Sequence, residues 1–273
     1  MENAYVSITR WWRERNIRTE AALSEILNGN SVLFAFHSGR LENERVTFHD
    51  TREIFDHDGV SNYTGDLRTL FEIRNAKSAY EFFLTAFGER RPLDEAFLLR
   101  LQKLLTRNTY DTRRYQLGER PGAWKLHDYV TGRHEIGASP EDTAAEVAEL
   151  LAELRDIPPC FPTETVSPSL TPDKILTAAA YFHAKLENIH PFADGNGRTG
   201  RLAMNYFLVT RDCPPIVIHE EERAAYYAAL EAWDTAQNLE PMRDFLTAQT
   251  VRTWGGRVTT PETPASPRLC DFL

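Results

Sequence analysis

Apolar residues recur every three to four positions through most of this chain, a spacing that predicts an all-α protein. Ile175, Ala179, Phe182, Leu186 and Ile189 form one stripe at alternating steps of four and three. Thr171 supplies an N-cap ahead of Pro172 at the first helical position, so a helix is expected from there to Ile189. Ser139-Pro140-Glu141-Asp142 opens another in the manner of a capping box and carries Val147, Leu150, Leu151 and Leu154 inward. The same period places further helices near 69–87, 93–107, 197–211, 220–236 and 241–254. Residues 157–170 are proline-rich and lack a period, which reads as a loop. The Pro- and Thr-containing tail from 256 to 273 is expected to be disordered. One stretch breaks the helical rhythm. Trp124, Leu126, Asp128 and Val130 alternate with their neighbours, and Thr131-Gly132 can turn the chain back along Arg133, His134, Glu135 and Ile136. That pattern predicts a small β-hairpin over Tyr129–Ile136.

With 273 residues, 42% hydrophobic and 26% charged, the chain has material for one sizeable core and an accessory segment. No apolar run approaches the roughly 20 residues that span a bilayer, and residues 1–20 lack a signal-peptide pattern. The expectation is a soluble cytoplasmic protein with no membrane partner. Cys160, Cys213 and Cys270 are scattered and lack metal-ligand spacing, which reads as reduced structural thiols. A net charge of −9 argues against broad nucleic-acid binding.

The chemistry concentrates where the periodic pattern stops near Ile189 and resumes near Leu202. His190-Pro191-Phe192-Ala193-Asp194-Gly195-Asn196-Gly197-Arg198-Thr199-Gly200-Arg201 occupies that gap. Gly195 and Gly197 fall where a loop opens a helix. The first N–H groups of a helix have no internal partner, and glycines let phosphate oxygens reach them. Asn196 adds an amide donor. Arg198 and Arg201, three apart, can turn two guanidinium forks toward one phosphate chain. Asp194 is the kind of lone carboxylate that holds Mg²⁺ together with substrate phosphates. His190 can accept a proton from a hydroxyl, provided it is neutral; a helix C-terminus favours the charged imidazole, so some neighbour must oppose that. Each feature is commonplace by itself, a turn, a cap or a solvated face. Their adjacency and order describe one phosphate site.

This segment resembles the signature of the Fic family, His-x-Phe-x-Asp-Gly-Asn-Gly-Arg-x-x-Arg, at all eight fixed positions. The resemblance implies a Fic fold, a helical bundle core with a small β-hairpin flap, covering roughly residues 32–250. It implies that His190 deprotonates a target hydroxyl, that Phe192 anchors the loop and that Asp194 binds Mg²⁺. Gly195, Asn196, Gly197 and Arg198 would hold the α- and β-phosphates of ATP, and Arg201 the γ-phosphate. The implied reaction is transfer of AMP to a Ser, Thr or Tyr hydroxyl of a protein target. The phosphorylating branch of the family carries Lys at the position of Gly197, so AMP transfer is favoured. A flap over Tyr129–Ile136 would register the target peptide by strand addition.

Two further stretches take meaning from the resemblance. Tyr226, Tyr227 and Asp234 match the family's adenine pocket, with Asp where Asn is frequent. From spacing alone, the two tyrosines read as core. Ser38-Gly39-Arg40-Leu41-Glu42-Asn43 resembles the inhibitory Ser/Thr-x-x-x-Glu-Gly/Asn motif of the class whose brake precedes the catalytic core. Ser38, Glu42 and Asn43 would carry that brake, Glu42 pairing with Arg201 in place of the γ-phosphate. The same carboxylate could orient water for removing AMP. The organisation implied is an N-terminal helical region over 1–90 carrying the inhibitory helix, a catalytic core over 91–255 and a tail over 256–273. A nucleotide-sensing module without catalysis, a different nucleotide donor and a homo-oligomeric state stay open at this point.

Overall fold

Capping chemistry starts most of the helices. The structure is a computed structural model and describes residues 4–61, 63–129, 137–159 and 171–259. Among these are twelve α-helices: α1 Ala4–Glu14, α2 Glu20–Leu27, α3 Ser31–Glu42, α4 Phe48–His57, α5 Leu67–Gly88, α6 Glu95–Thr106, α7 Thr112–Gln116, α8 Pro140–Glu153, α9 Pro172–Ile189, α10 Asn196–Val209, α11 Arg223–Ala236 and α12 Glu240–Thr259. Thr19, Thr47, Asp66, Asp94, Asp111, Ser139 and Thr171 each accept a hydrogen bond from the backbone N–H three residues on, in the first turn of the helix they precede. Such a cap contributes about 1 kcal/mol.

The all-α expectation holds, and the five residues of the 175–189 stripe are all buried. No strand occurs among the described residues. Residues 124–129, the approach to the expected hairpin, are irregular, and 130–136 lie outside the described residues. The tail begins later than its composition suggests, because α12 continues through Gly255-Gly256 to Thr259. Tertiary contacts hold that last stretch. Trp254 packs on Trp11 and Trp12 with ring centroids 5.8 and 5.2 Å away. The Arg257 guanidinium donates to the carbonyls of Ile26 and Asn28, the latter just past α2. Residues 160–170 of the expected loop and 260–273 of the tail lie outside the described residues.

Helices α9 and α10 pack on each other at the centre, joined by residues 190–195. Helix α10 is buried along nearly its whole length, with α3, α5 and α6 against it, while α8, α11 and α12 pack on α9. One continuous apolar core runs from Tyr5 on α1 to Trp254 on α12, so the 1–90 region and the segment after it share their interior. A second small cluster of Val46, Ile54 and Ile73 joins α4 and α5 to the end of α3. It fixes the helix that ends at Glu42 beside the start of α10. Among the described residues, no helix is long and apolar enough to cross a membrane.

Candidate active site

The link between α9 and α10 is stapled by its own side chains. Asn196 accepts from the Phe192 N–H with Oδ1 at 2.9 Å and donates to the Phe192 carbonyl with Nδ2 at 2.7 Å. Phe192 is fully buried and stacks on Trp124, an anchor that contributes about 1.5–3 kcal/mol. Asn196 thus uses its side chain mainly inside the loop, leaving the backbone N–H groups of the helix N-terminus as the donor set. That terminus is unusual here. Gly195 stands at the N-cap of α10 with φ 84°, a left-handed conformation that glycine adopts without strain, and no side chain caps the helix. Its first N–H groups are therefore open to an anion.

An anion is already present. A Cβ added at Gly197 would collide with the Glu42 carboxylate and come within 2.7 Å of Arg201 Nη1. The absence of a side chain at Gly197 lets a carboxylate, or equally a phosphate, lie across the first turn of α10. Arg201 donates from Nη2 to Glu42 Oε1 at 2.8 Å and to the Ser38 carbonyl at 2.9 Å, and from Nε to Ser38 Oγ at 3.0 Å. Its Nη1 lies 3.4 Å from the Tyr226 hydroxyl. Burial works to raise the Glu42 carboxyl, but Arg201 and then Arg198 outweigh it and hold it below the usual carboxylate range. Burial likewise opposes the Arg201 charge, yet Tyr226, Glu42 and Glu187 keep the guanidinium above its ordinary range.

His190 ends α9 in a left-handed conformation (φ 50°, ψ 62°), its N–H bonded to the Leu186 carbonyl. The peptide groups on either side are clamped: Lys125 N–H donates to Pro191 O at 2.9 Å and Ala138 N–H to Ile189 O at 3.0 Å. Both ends of the expected flap are thereby tied to the backbone flanking the imidazole. Because Phe192 fixes the Asn196 amide, Asn196 Nδ2 faces His190 Nε2 at 3.1 Å, and Nε2 must be the acceptor. The lone pair is on Nε2, and Nδ1 carries the proton. Burial first, and the Lys125 ammonium second, push the imidazole down to about 4. These effects answer the difficulty raised by the helix C-terminus: the imidazole is neutral.

A cleft of about 750 Å³ joins these groups, a size suited to a nucleotide. His190, Asp194, Gly195, Asn196, Gly197, Arg201 and Glu42 line it, as do Tyr129, Tyr226, Tyr227 and Asp234. Arg198 and Asn43 instead line an adjoining cavity of about 340 Å³. Tyr226 is buried, and its hydroxyl also meets His183 Nε2 at 2.8 Å, so it buttresses Arg201. Tyr227 is exposed to the cleft and offers the freer ring. Asn188 donates to Asp234 at 2.9 Å. Tyr129 donates to Glu119; Val130, Thr131, Gly132, Arg133, His134, Glu135 and Ile136 lie outside the described residues.

Four residues near the site carried no legible sequence signal. Glu187, one turn before His190 on α9, has Oε1 buried without a partner, and burial pushes it up to about 8. Lys125 is buried beside His190. Arg68 and Glu72, from α5, contact Asp194 and Arg198 respectively. Their distance along the chain hides them, although Glu187 sits at a spacing that shares a helix face with His190. Among the described residues, no group of three or more His, Cys, Asp or Glu side chains could hold a metal. A divalent cation here would rely on Asp194 and on phosphate oxygens brought by a substrate, and that single hard carboxylate suits Mg²⁺.

Comparison with known proteins agrees with this architecture. Residues 92–208 match the model of the Fic/DOC family. The protein adenylyltransferase fic-1 of Caenorhabditis elegans is 39% identical over 235 residues, 85% of this chain and 41% of that protein. The protein adenylyltransferase Fic of Drosophila persimilis is 53% identical over 53 residues, 19% of this chain and 10% of that one. The chain thus spans less than half the length of these curated relatives. A Fic domain containing signaling protein from Bacteroides thetaiotaomicron shares the fold with a TM-score of 0.74 at 23% identity, covering 93% of this chain and 95% of that one. The structure of Fic-1 from C. elegans follows at 0.71 and 21% identity, covering 93% and 72%.

Proposed function

This chain belongs to the Fic/DOC family, and we propose that it is a protein adenylyltransferase held off by its own Glu42. Its substrate would be ATP, its acceptor a hydroxyl side chain of a protein target. The observation that carries the reading is the Glu42 carboxylate lying against Gly197 at an uncapped helix N-terminus, paired with Arg201, in the same cleft as a neutral His190.

The chemistry follows from these groups. With phosphates seated on the start of α10, the target oxygen attacks the α-phosphorus as its proton passes to His190 Nε2. A new P–O bond forms, the bond to pyrophosphate breaks, and the leaving group carries the displaced charge. Burial and Lys125 keep the imidazole able to accept that proton. Asp194 would hold Mg²⁺, which when bound neutralises charge on the phosphates. Arg201 would grip the terminal phosphate only after Glu42 leaves it. Until then, the cleft presents Glu42, Asp194, Glu231 and Asp234 to an incoming polyanion.

Intact-mass analysis after incubation with Mg²⁺ and ATP tests the assignment. Glu42→Gly protein, alone or with a target, should gain adenylyl groups, traced by α-labelled but not γ-labelled ATP. Glu42→Gly/His190→Ala should gain none. Full transfer by the double variant would remove His190 as the base, and γ-label incorporation would make the reaction phosphorylation.

A further inference from the structure

Asp194 is enclosed by a closed ring of charge that reaches outside the family signature. Its Oδ1 accepts from Arg198 Nη2 at 3.0 Å and its Oδ2 from Arg68 Nη2 at 3.0 Å. Glu72 closes the ring, with Oε1 at 3.0 Å from Arg68 Nε and 3.8 Å from Arg198 Nη1. The two guanidinium groups are not equivalent. Arg198 stands off Glu72 and has its Nε buried without a partner, whereas Arg68 holds both carboxylates at hydrogen-bond distance. The ring is also tied to the inhibitory segment. Asn43, next to Glu42, donates to Glu72 Oε2 at 2.7 Å and to Thr69 Oγ1 at 2.9 Å. Glu42 and Asp194 form the shared wall between the large cleft and the 340 Å³ cavity that these residues line.

We propose that Arg68, steadied by Glu72, is a positioning residue that latches the cation-binding carboxylate Asp194 while the Glu42–Asn43 segment is docked. The inference rests on the adenylyltransferase reading and extends it. The N-terminal region then opposes nucleotide twice, by a carboxylate on Arg201 and by a guanidinium on the oxygen that a divalent cation needs. A cation approaching Asp194 must displace a hydrogen-bonded positive charge. Arg68 competes with the metal at Oδ2, whereas Arg198 follows the phosphates.

The test uses the full chain, Mn²⁺ as the spectroscopic probe and saturating α,β-methylene-ATP, which cannot be turned over. Electron paramagnetic resonance of free Mn²⁺ gives the cation concentration at half-saturation without reference to activity. Arg68→Gln, which removes the charge but keeps a neutral donor, should lower that concentration about five-fold, the scale of one half-exposed ion pair. Arg68→Lys should return it close to wild type. A midpoint that is unchanged or higher in Arg68→Gln overturns the latch. Glu42→Gly protein separates the two claims. If it binds Mn²⁺–nucleotide while Arg68→Gln leaves the midpoint unmoved, the latch alone fails. If it binds none, the adenylyltransferase reading and the latch fall together.

Discussion

Removing the Glu42 carboxylate should tighten nucleotide binding while weakening the fold, and the two effects have one source. The Arg201–Glu42 contact is a 2.8 Å charge-assisted hydrogen bond in which Arg201 is 5% exposed and Glu42 35% exposed. Such bonds contribute about 1.5–3 kcal/mol, and the exposed edge of Glu42 argues for about 1.5–2 kcal/mol. That energy corresponds to a ratio of roughly 12- to 30-fold between the closed and open arrangements. A nucleotide that needs the open one binds with its intrinsic affinity reduced by that fraction. Glu42→Gly should therefore bind Mg²⁺ and α,β-methylene-ATP roughly tenfold more tightly or better by isothermal titration calorimetry. Glu42→Gln keeps a neutral acceptor for Arg201 and should gain only part of this. Without ligand, Arg201 stays buried facing a lost partner, so the melting temperature should fall by several degrees, at about 2–4 °C per kcal/mol for a chain of this size. Inorganic pyrophosphate, which refills the anion seat, should restore it. Glu42→Gly protein with unchanged nucleotide affinity and an unchanged or higher melting temperature would refute the reasoning.

Two other predictions use different levers. His190 is held down to about 4, below its unfolded value, so it stays neutral and active as pH falls through 6.5. The unfolded chain takes up that proton first, so the cost to stability is absent above about pH 6.5, builds as pH falls to about 4 and stays in full below that. The acid limb of kcat/KM in Glu42→Gly protein should lie well below 6.5 and move up in Lys125→Met; a limb at 6.5 or higher before that change would disprove the pKa argument. Gly195→Ala would place a methyl 2.6 Å from Thr106 Cγ2 at a φ of 84°. The cost should be about 2–3 kcal/mol by chemical denaturation, with Thr106→Ser relieving the steric share but not the backbone share; a change under about 0.5 kcal/mol would contradict this geometry.

What was legible in the sequence was local. Helix periods and capping residues act within one or two turns, so α5, α6 and α8 to α12 could be located before any coordinates. The 190–201 segment stood out for the same reason: its histidine, carboxylate, glycines and arginines are neighbours in the chain. Helices α1, α2, α4 and α7 were not resolved individually, although Thr19, Thr47 and Asp111 cap the last three; what packing alone decides is where such short elements lie. The Trp11–Trp12–Trp254 cluster, for example, joins opposite ends of the chain. Family resemblance pointed to Glu42, but only the fold sets it beside Arg201, 159 residues on, in the space that Gly197 leaves empty. The neutrality of His190, the buried Oε1 of Glu187 and the Arg68–Asp194 contact were beyond any reading of spacing. Charge state and ion pairing depend on burial and on partners brought together through three dimensions: here α3 and α5 packed against α10 supply the ion pairs, and enclosure beside Lys125 supplies the neutral imidazole.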